Sequence, residues 1–182
     1  IEEGSLDTGA ASFTVNDERL RDADFVTYFE AGIQWVSSTG HSVDPDNACG
    51  RTVAVLRNSV SDSDDVPARS AECVATGKSP IDQVRFDDQD DAAAAVALGR
   101  VDAMSADSPI SAYAARQSQG KMQLVGEVVD TAPYGWPVRK GHGLGPALEA
   151  AANKMIESGD IDAIAQRWGV ENGLISRSQV RG

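Results

Sequence analysis

Two charged residues far apart in the chain could together hold a small zwitterion. Arg19 ends the run Ser12-Phe13-Thr14-Val15-Asn16-Asp17-Glu18-Arg19. Asp107 ends the run Gly99-Arg100-Val101-Asp102-Ala103-Met104-Ser105-Ala106-Asp107. A guanidinium is a planar fork that meets a carboxylate with two parallel hydrogen bonds. A carboxylate at the end of an apolar strand can accept from an ammonium. A free amino acid carries both groups on one carbon, so it needs one partner of each sign, a few ångströms apart. The two runs predict such partners facing each other across a cleft.

These groups must be placed by regular elements. The alternation over residues 6–13 predicts a buried strand, and the polar residues 16–21 a short helix with Asp17 and Glu18 near its positive end. Ile33, Trp35 and Ser37 alternate with Gln34 and Val36, which predicts a strand, and residues 37–47 read as loop. Thr52-Val53-Ala54-Val55-Leu56 is a β-branched strand. Residues 59–75 read as a helix that Pro67 must interrupt or restart. A strand at 84–86, an Ala-rich helix at 88–98 and a strand at 101–106 follow. Ser108-Pro109 reads as a helix cap followed by proline at the first helical position, opening a helix to about residue 117. Residues 122–125 add an edge strand, and the chain crosses back after Pro133. Leu144, Leu148, Ala151 and Met155 recur at helical spacing, as do Ile161, Ile164, Ala165 and Trp168. Strands alternating with helices predict an α/β fold with a mainly parallel sheet flanked by helices.

Bulk properties narrow the function. The 182 residues suffice for one domain or two small lobes. The formal net charge of −12 argues against nucleic acid or an anionic membrane as partner, because both require clustered Lys and Arg. No apolar run approaches the ~20 residues of a membrane span. No Ser or Cys has an evident His partner and no Gly-rich phosphate loop occurs, so no catalytic constellation is present. His41, His142 and Cys49 lack metal-site spacing. Asp44, Asp46 and Asn47 lack the Gly and terminal Glu of a calcium loop. Asp87, Asp88, Asp90 and Asp91 read as a helix-start cluster. The sequence calls for no metal and no cofactor, and Trp35, Trp136 and Trp168 read as core and hinge packing.

Five blocks, in order, resemble the extracytoplasmic amino-acid-binding proteins of ABC importers, the family 3 solute-binding proteins. They are the stretch from Ile1 to Gly40 with its Asp24-Phe25 and Tyr28 to Gly32 segment, Cys49-Gly50-Arg51-Thr52-Val53-Ala54-Val55, Leu98-Gly99-Arg100-Val101-Asp102-Ala103, Tyr134-Gly135-Trp136-Pro137-Val138-Arg139-Lys140-Gly141, and Leu144 to Val170. The resemblance implies a two-lobed type II periplasmic-binding-protein fold with a hinge between the lobes. Residues 40–132 would form lobe 2, and residues 1–39 and 133–182 a partial lobe 1. Matched to the family, Ile1 lies at the end of a lobe 1 helix, so the opening strand, helix and second strand are expected to be missing. A leader, with or without a lipid anchor, would have preceded them. An exported protein can keep a disulfide, and the resemblance favours pairing Cys49 with Cys73 over free thiols.

The resemblance also assigns a binding set. Arg19 grips the ligand α-carboxylate, Thr14 adds its hydroxyl and N–H, and Ser12 gives its carbonyl to the ammonium. Asp107 accepts from the ammonium, whereas Asp102 is a turn residue. Asn58-Ser59-Val60-Ser61 is the lobe 2 anchor at a helix N-terminus, where free N–H groups suit an anion. The family pattern there is Gly-Thr-Thr or Gly-Ser-Thr. Asn58 can replace Gly if its backbone is left-handed. Val60 removes one hydroxyl, which weakens the anchor or favours a less polar ligand. The implied function is binding of an amino acid and delivery to an ABC permease, by a monomer unless truncation forces segment swapping. Alternatives on the same fold are an extracytoplasmic sensor module and an enzyme acting on small carboxylic acids.

Overall fold

The computed structural model describes residue 1 and residues 3–182. The chain forms two compact units, residues 1–31 with 131–182 and residues 32–130. The sequence puts the changes at 39/40 and 132/133. The units change instead inside two long strands, β1 (Ala23–Ser38) and β5 (Met122–Arg139). Both strands run beyond their sequence patterns, because Glu30, Gly32, Gly126 and Pro133 interrupt the hydrophobic alternation without ending the backbone ladder.

In the unit of residues 32–130, β2 (Thr52–Leu56) pairs in parallel with β3 (Asp82–Phe86) on one side and β4 (Ala103–Asp107) on the other. β1 adds antiparallel to β4, with Trp35 opposite Ser105 and Ile33 opposite Asp107. Val53 and Val55 of β2 face one core cluster and Ala54 faces the other, the period-two pattern of a strand covered on both sides. The first cluster joins Ile33, Trp35 and Ala103 to Val66 and Cys73 of α1 (Val66–Ala75). The second joins Met104 and Ala106 to Ala92 and Val96 of α2 (Gln89–Ala97) and Ala114 of α3 (Ser108–Gln117).

Local chemistry sets the helix starts. Asp88 caps α2 by accepting the N–H groups of Asp90 and Asp91. Pro67 produces the expected interruption. Residues Ser61–Asp65 form a wide π-type turn, and α1 restarts with Pro67 in its first turn, where no donor is required. Cys49 and Cys73 form a disulfide, with Cα atoms 5.5 Å apart, tying the approach to β2 onto α1.

In the other unit, the first part of β1 pairs with β6 (Val180–Arg181). The sequence predicts a buried strand at residues 6–13, but the segment is irregular and Leu6 is 63% exposed. It is held to β5 by single bridges at Thr8–Val138 and Thr14–Tyr134 and by a few backbone bonds. Pro133 and Pro137 of β5 have no N–H to give, so a continuous ladder cannot form along that edge. α4 (Leu144–Glu157) and α5 (Asp160–Trp168) match the predicted spacing. Trp168 departs from the expected core role and is 50% exposed. Of α5 only Ala165 is buried, so the larger Ile164 and Trp168 remain at the surface.

Candidate functional site

Arg19 opens a single 3-10 turn, Arg19–Arg21. The side chain of Asn16 accepts the Arg19 N–H at 2.9 Å and so fixes the turn. The Arg19 guanidinium, half-buried, donates from Nη1 to the Thr14 carbonyl at 2.8 Å. That bond uses one of five N–H donors. Among the described residues no carboxylate lies within ion-pair distance of Arg19. Arg19 lines an open depression of about 460 Å³ together with the apolar Phe13, Phe25 and Pro137 and the acidic Glu3 and Asp22. A half-buried cation held in place with donors to spare can receive an anion.

The segment before Arg19 is held by aromatic packing. Tyr28 of β1 stacks on Trp136 of β5, with centroids 4.6 Å apart and planes at 10°. Its hydroxyl donates to the Ala11 carbonyl at 3.2 Å. Burial raises the Tyr28 pKa, partly offset by a hydrogen bond with the Ser12 side chain. The structure thus brings Ser12, Thr14 and Arg19 into one ordered stretch, with Ser12 exposed and Thr14 half-buried.

In the unit of residues 32–130, β2 and β4 are parallel neighbours, so their carboxyl ends lie on the same sheet edge. That edge of an open α/β sheet is where ligands bind. It carries Asp107 and the turn of residues 58–61. Asn58 has φ 62°, the left-handed backbone that replacement of glycine requires. Its N–H donates to Asp62 Oδ2 at 3.0 Å. Ser59 Oγ accepts the Asp62 N–H at 3.2 Å, and Val60 packs against the core. Burial works to raise the Asp62 pKa, but the Asn58 N–H and Arg85 outweigh it and the value falls.

Two residues of the predicted set sit differently from their sequence reading. Ser61 is 0% exposed, and its Oγ lies 3.0 Å from Ser105 Oγ, to which it donates while Ser105 donates to Asp65, so its hydroxyl belongs to the interior. Asp107, not Ser108, is the cap residue of α3, with extended backbone and no side-chain capping bond. The Ser108 hydroxyl turns instead to the Gly32 N–H at 3.3 Å, which leaves the cap position to Asp107. Asp102 keeps its expected structural place, accepting both the N–H and hydroxyl of Thr52 at 2.8 and 2.9 Å.

Sequence reasoning missed a buried polar cluster beside this edge. Asp65 Oδ2 accepts from Trp35 Nε1 at 2.8 Å and from Ser105 Oγ at 2.6 Å, and Asp65 Oδ1 pairs with Arg69 Nε at 2.7 Å. Only the i,i+4 spacing of Asp65 and Arg69 was visible in the sequence. Among the described residues no group of three or more His, Cys, Asp or Glu is placed to hold a metal. No helix among the described residues is long and apolar enough to cross a membrane.

Residues 1–171 match the bacterial extracellular solute-binding proteins, family 3. The arginine-binding protein ArgT of Corynebacterium glutamicum is 43% identical over 99% of this chain. The glutamine-binding protein GlnH of an ABC transporter of Bacillus subtilis is 27% identical over 92% of it. The chain spans 60% and 59% of the lengths of these two relatives. Among solved structures, an ancestral arginine-binding protein bound to arginine superposes with a TM-score of 0.77 at 28% identity, covering 92% of this chain and 73% of that one. The chain belongs to the bacterial extracellular solute-binding proteins, family 3.

Proposed function

We propose that this protein binds a free amino acid outside the cytoplasm and delivers it to an ABC permease. Arg19 and Thr14 take the carboxylate, with Ser12 nearby for the ammonium. Asp107 accepts from the ammonium, and the turn of residues 58–61 adds the Ser59 hydroxyl and the N–H groups of Val60 and Ser61. The observation that carries this reading is Arg19: a half-buried guanidinium, fixed by Thr14 and with no carboxylate at ion-pair distance among the described residues. Asp107 and Ser59, at one sheet edge of the other unit, supply the complementary groups.

Arginine is the first ligand to test, because relatives at 43% and 33% identity are named for it. The protein binds without turnover, acts as a monomer and needs no cofactor. The Cys49–Cys73 disulfide fits an oxidising compartment.

The test is thermal unfolding of the full-length protein against the twenty amino acids. A ligand at 100 times its Kd stabilises by about 2.7 kcal/mol. A shift confined to arginine and related polar amino acids supports the proposal. No shift with any of them overturns it.

A further inference from the structure

The cluster around Asp65 lies between the two ligand-contact elements of its unit. Asp65 is 6% exposed, and Ser61 and Ser105 are 0% exposed. Asp65 closes the turn that begins at Ser61. The Ser105 hydroxyl spans from this turn to β4, touching Ser61 Oγ at 3.0 Å and Asp65 Oδ2 at 2.6 Å. Arg69 steadies the carboxylate at 2.7 Å and lies over the Trp35 ring at 5.5 Å. Arg69 also reaches Asp46 at 2.8 Å.

Each end of the bridge sits two residues from a proposed ligand contact. Ser61 follows Ser59 by two, and Ser105 precedes Asp107 by two. On a strand, residues two apart share a face, so Ser105 and Asp107 belong to the same side of β4 as Trp35 and Ile33 opposite them. We propose that the buried Ser61–Ser105–Asp65 bridge is a positioning device for ligand binding. It fixes the 58–61 turn against the end of β4, so that the Ser59 anchor and the Asp107 carboxylate meet one ligand at a set separation.

A bridge that only stabilised the core would need none of this placement. Val66 and Val55 already belong to the apolar core cluster against which Val60 of the turn packs. A buried carboxylate with three hydrogen-bond partners is a costly way to pack a core but a rigid way to set a distance. Small errors in the placement of contact groups cost binding and reactivity steeply.

This inference rests on the proposed amino-acid site, and the experiment separates the two. Dissociation constants for L-arginine and L-glutamine are measured by calorimetry in the full-length protein at 15 °C, alongside Tm without ligand. Ser105→Ala severs β4 from the turn but leaves the Asp65 bonds to Trp35 and Arg69. Trp35→Phe removes one bond to Asp65 but leaves the bridge. Ser105→Ala is expected to weaken binding about tenfold or more with a modest fall in Tm. Trp35→Phe is expected to lower Tm further yet keep the Kd within about twofold, since the bridge survives. Ser61→Ala, which removes the Ser61–Ser105 contact and keeps Ser105–Asp65, is expected to weaken binding in the same direction by a smaller factor and replaces Ser105→Ala should that variant not fold. Affinity losses that simply follow the losses in Tm overturn the positioning role, as does an unchanged Kd in Ser105→Ala. A wild-type protein that binds neither amino acid, nor any of the other eighteen, overturns the proposed function and this role with it.

Discussion

The Arg19 guanidinium donates to the Thr14 carbonyl at 2.8 Å, so the cation and the residue five positions before it form one rigid unit. The bond runs back from the first residue of the 3-10 turn Arg19–Arg21, whose start is fixed by Asn16. An arginine tethered in this way loses little further freedom when an anion arrives, which lowers the entropic cost of binding.

The disulfide should be worth a measurable part of the stability. Cys49 and Cys73 are 24 residues apart. Closing a loop of that span constrains the unfolded chain by roughly 3 kcal/mol. Replacing both cysteines by alanine is expected to lower unfolding stability in urea by about that amount, with no loss of secondary structure by circular dichroism.

Asn58 separates backbone from side-chain effects. Its φ of 62° is left-handed. Asn58→Gly keeps that conformation accessible and should leave stability within about 0.5 kcal/mol of wild type. Asn58→Ala should cost about 1 kcal/mol, because alanine keeps the Cβ penalty of the left-handed region and lacks the short polar side chain that lets asparagine tolerate it. Equal stabilities for the two variants would show that the turn relaxes without strain.

Acid should destabilise the protein through Asp62 and Asp102. Burial works to raise both carboxyls, but hydrogen bonds from the Asn58 N–H and Arg85 to Asp62, and from the Thr52 N–H and hydroxyl to Asp102, outweigh it. Their folded values therefore lie below the ordinary Asp value of about 3.9. A group with a lowered folded pKa contributes stability above its unfolded pKa and loses it as pH falls through the folded value. Stability should hold above about pH 4 and fall below it. In Asp102→Asn the fall should be shallower, read as the slope of Tm against pH between 5 and 2.

Much of the fold was legible because local pattern and tertiary demand agree. Val53-Ala54-Val55 reads as a strand covered on both faces, and each face has its own core cluster. Pro67 announced the interruption before α1, and Asp88 announced the start of α2. The length of β1 and β5 was hidden, since glycines, prolines and charges break their alternation while pairing partners elsewhere hold them extended. The irregular course of residues 6–13 was hidden too, since it follows from the missing donors of Pro133 and Pro137 more than a hundred residues away. Arg19 and Asp107 are proposed contacts that could be read from residue type, surroundings and the family resemblance. Asp65 could not, because its partners Trp35 and Ser105 stand 30 and 40 residues from it in sequence.

The most direct test of the central claim is the affinity of the full-length protein for L-arginine by calorimetry, with Arg19→Ala and Asp107→Asn beside the wild type. Removing one partner of a desolvated charge pair costs about 2–5 kcal/mol. Each variant should therefore bind at least about thirtyfold more weakly while keeping its unliganded Tm. Wild-type affinity retained in both variants would contradict the account.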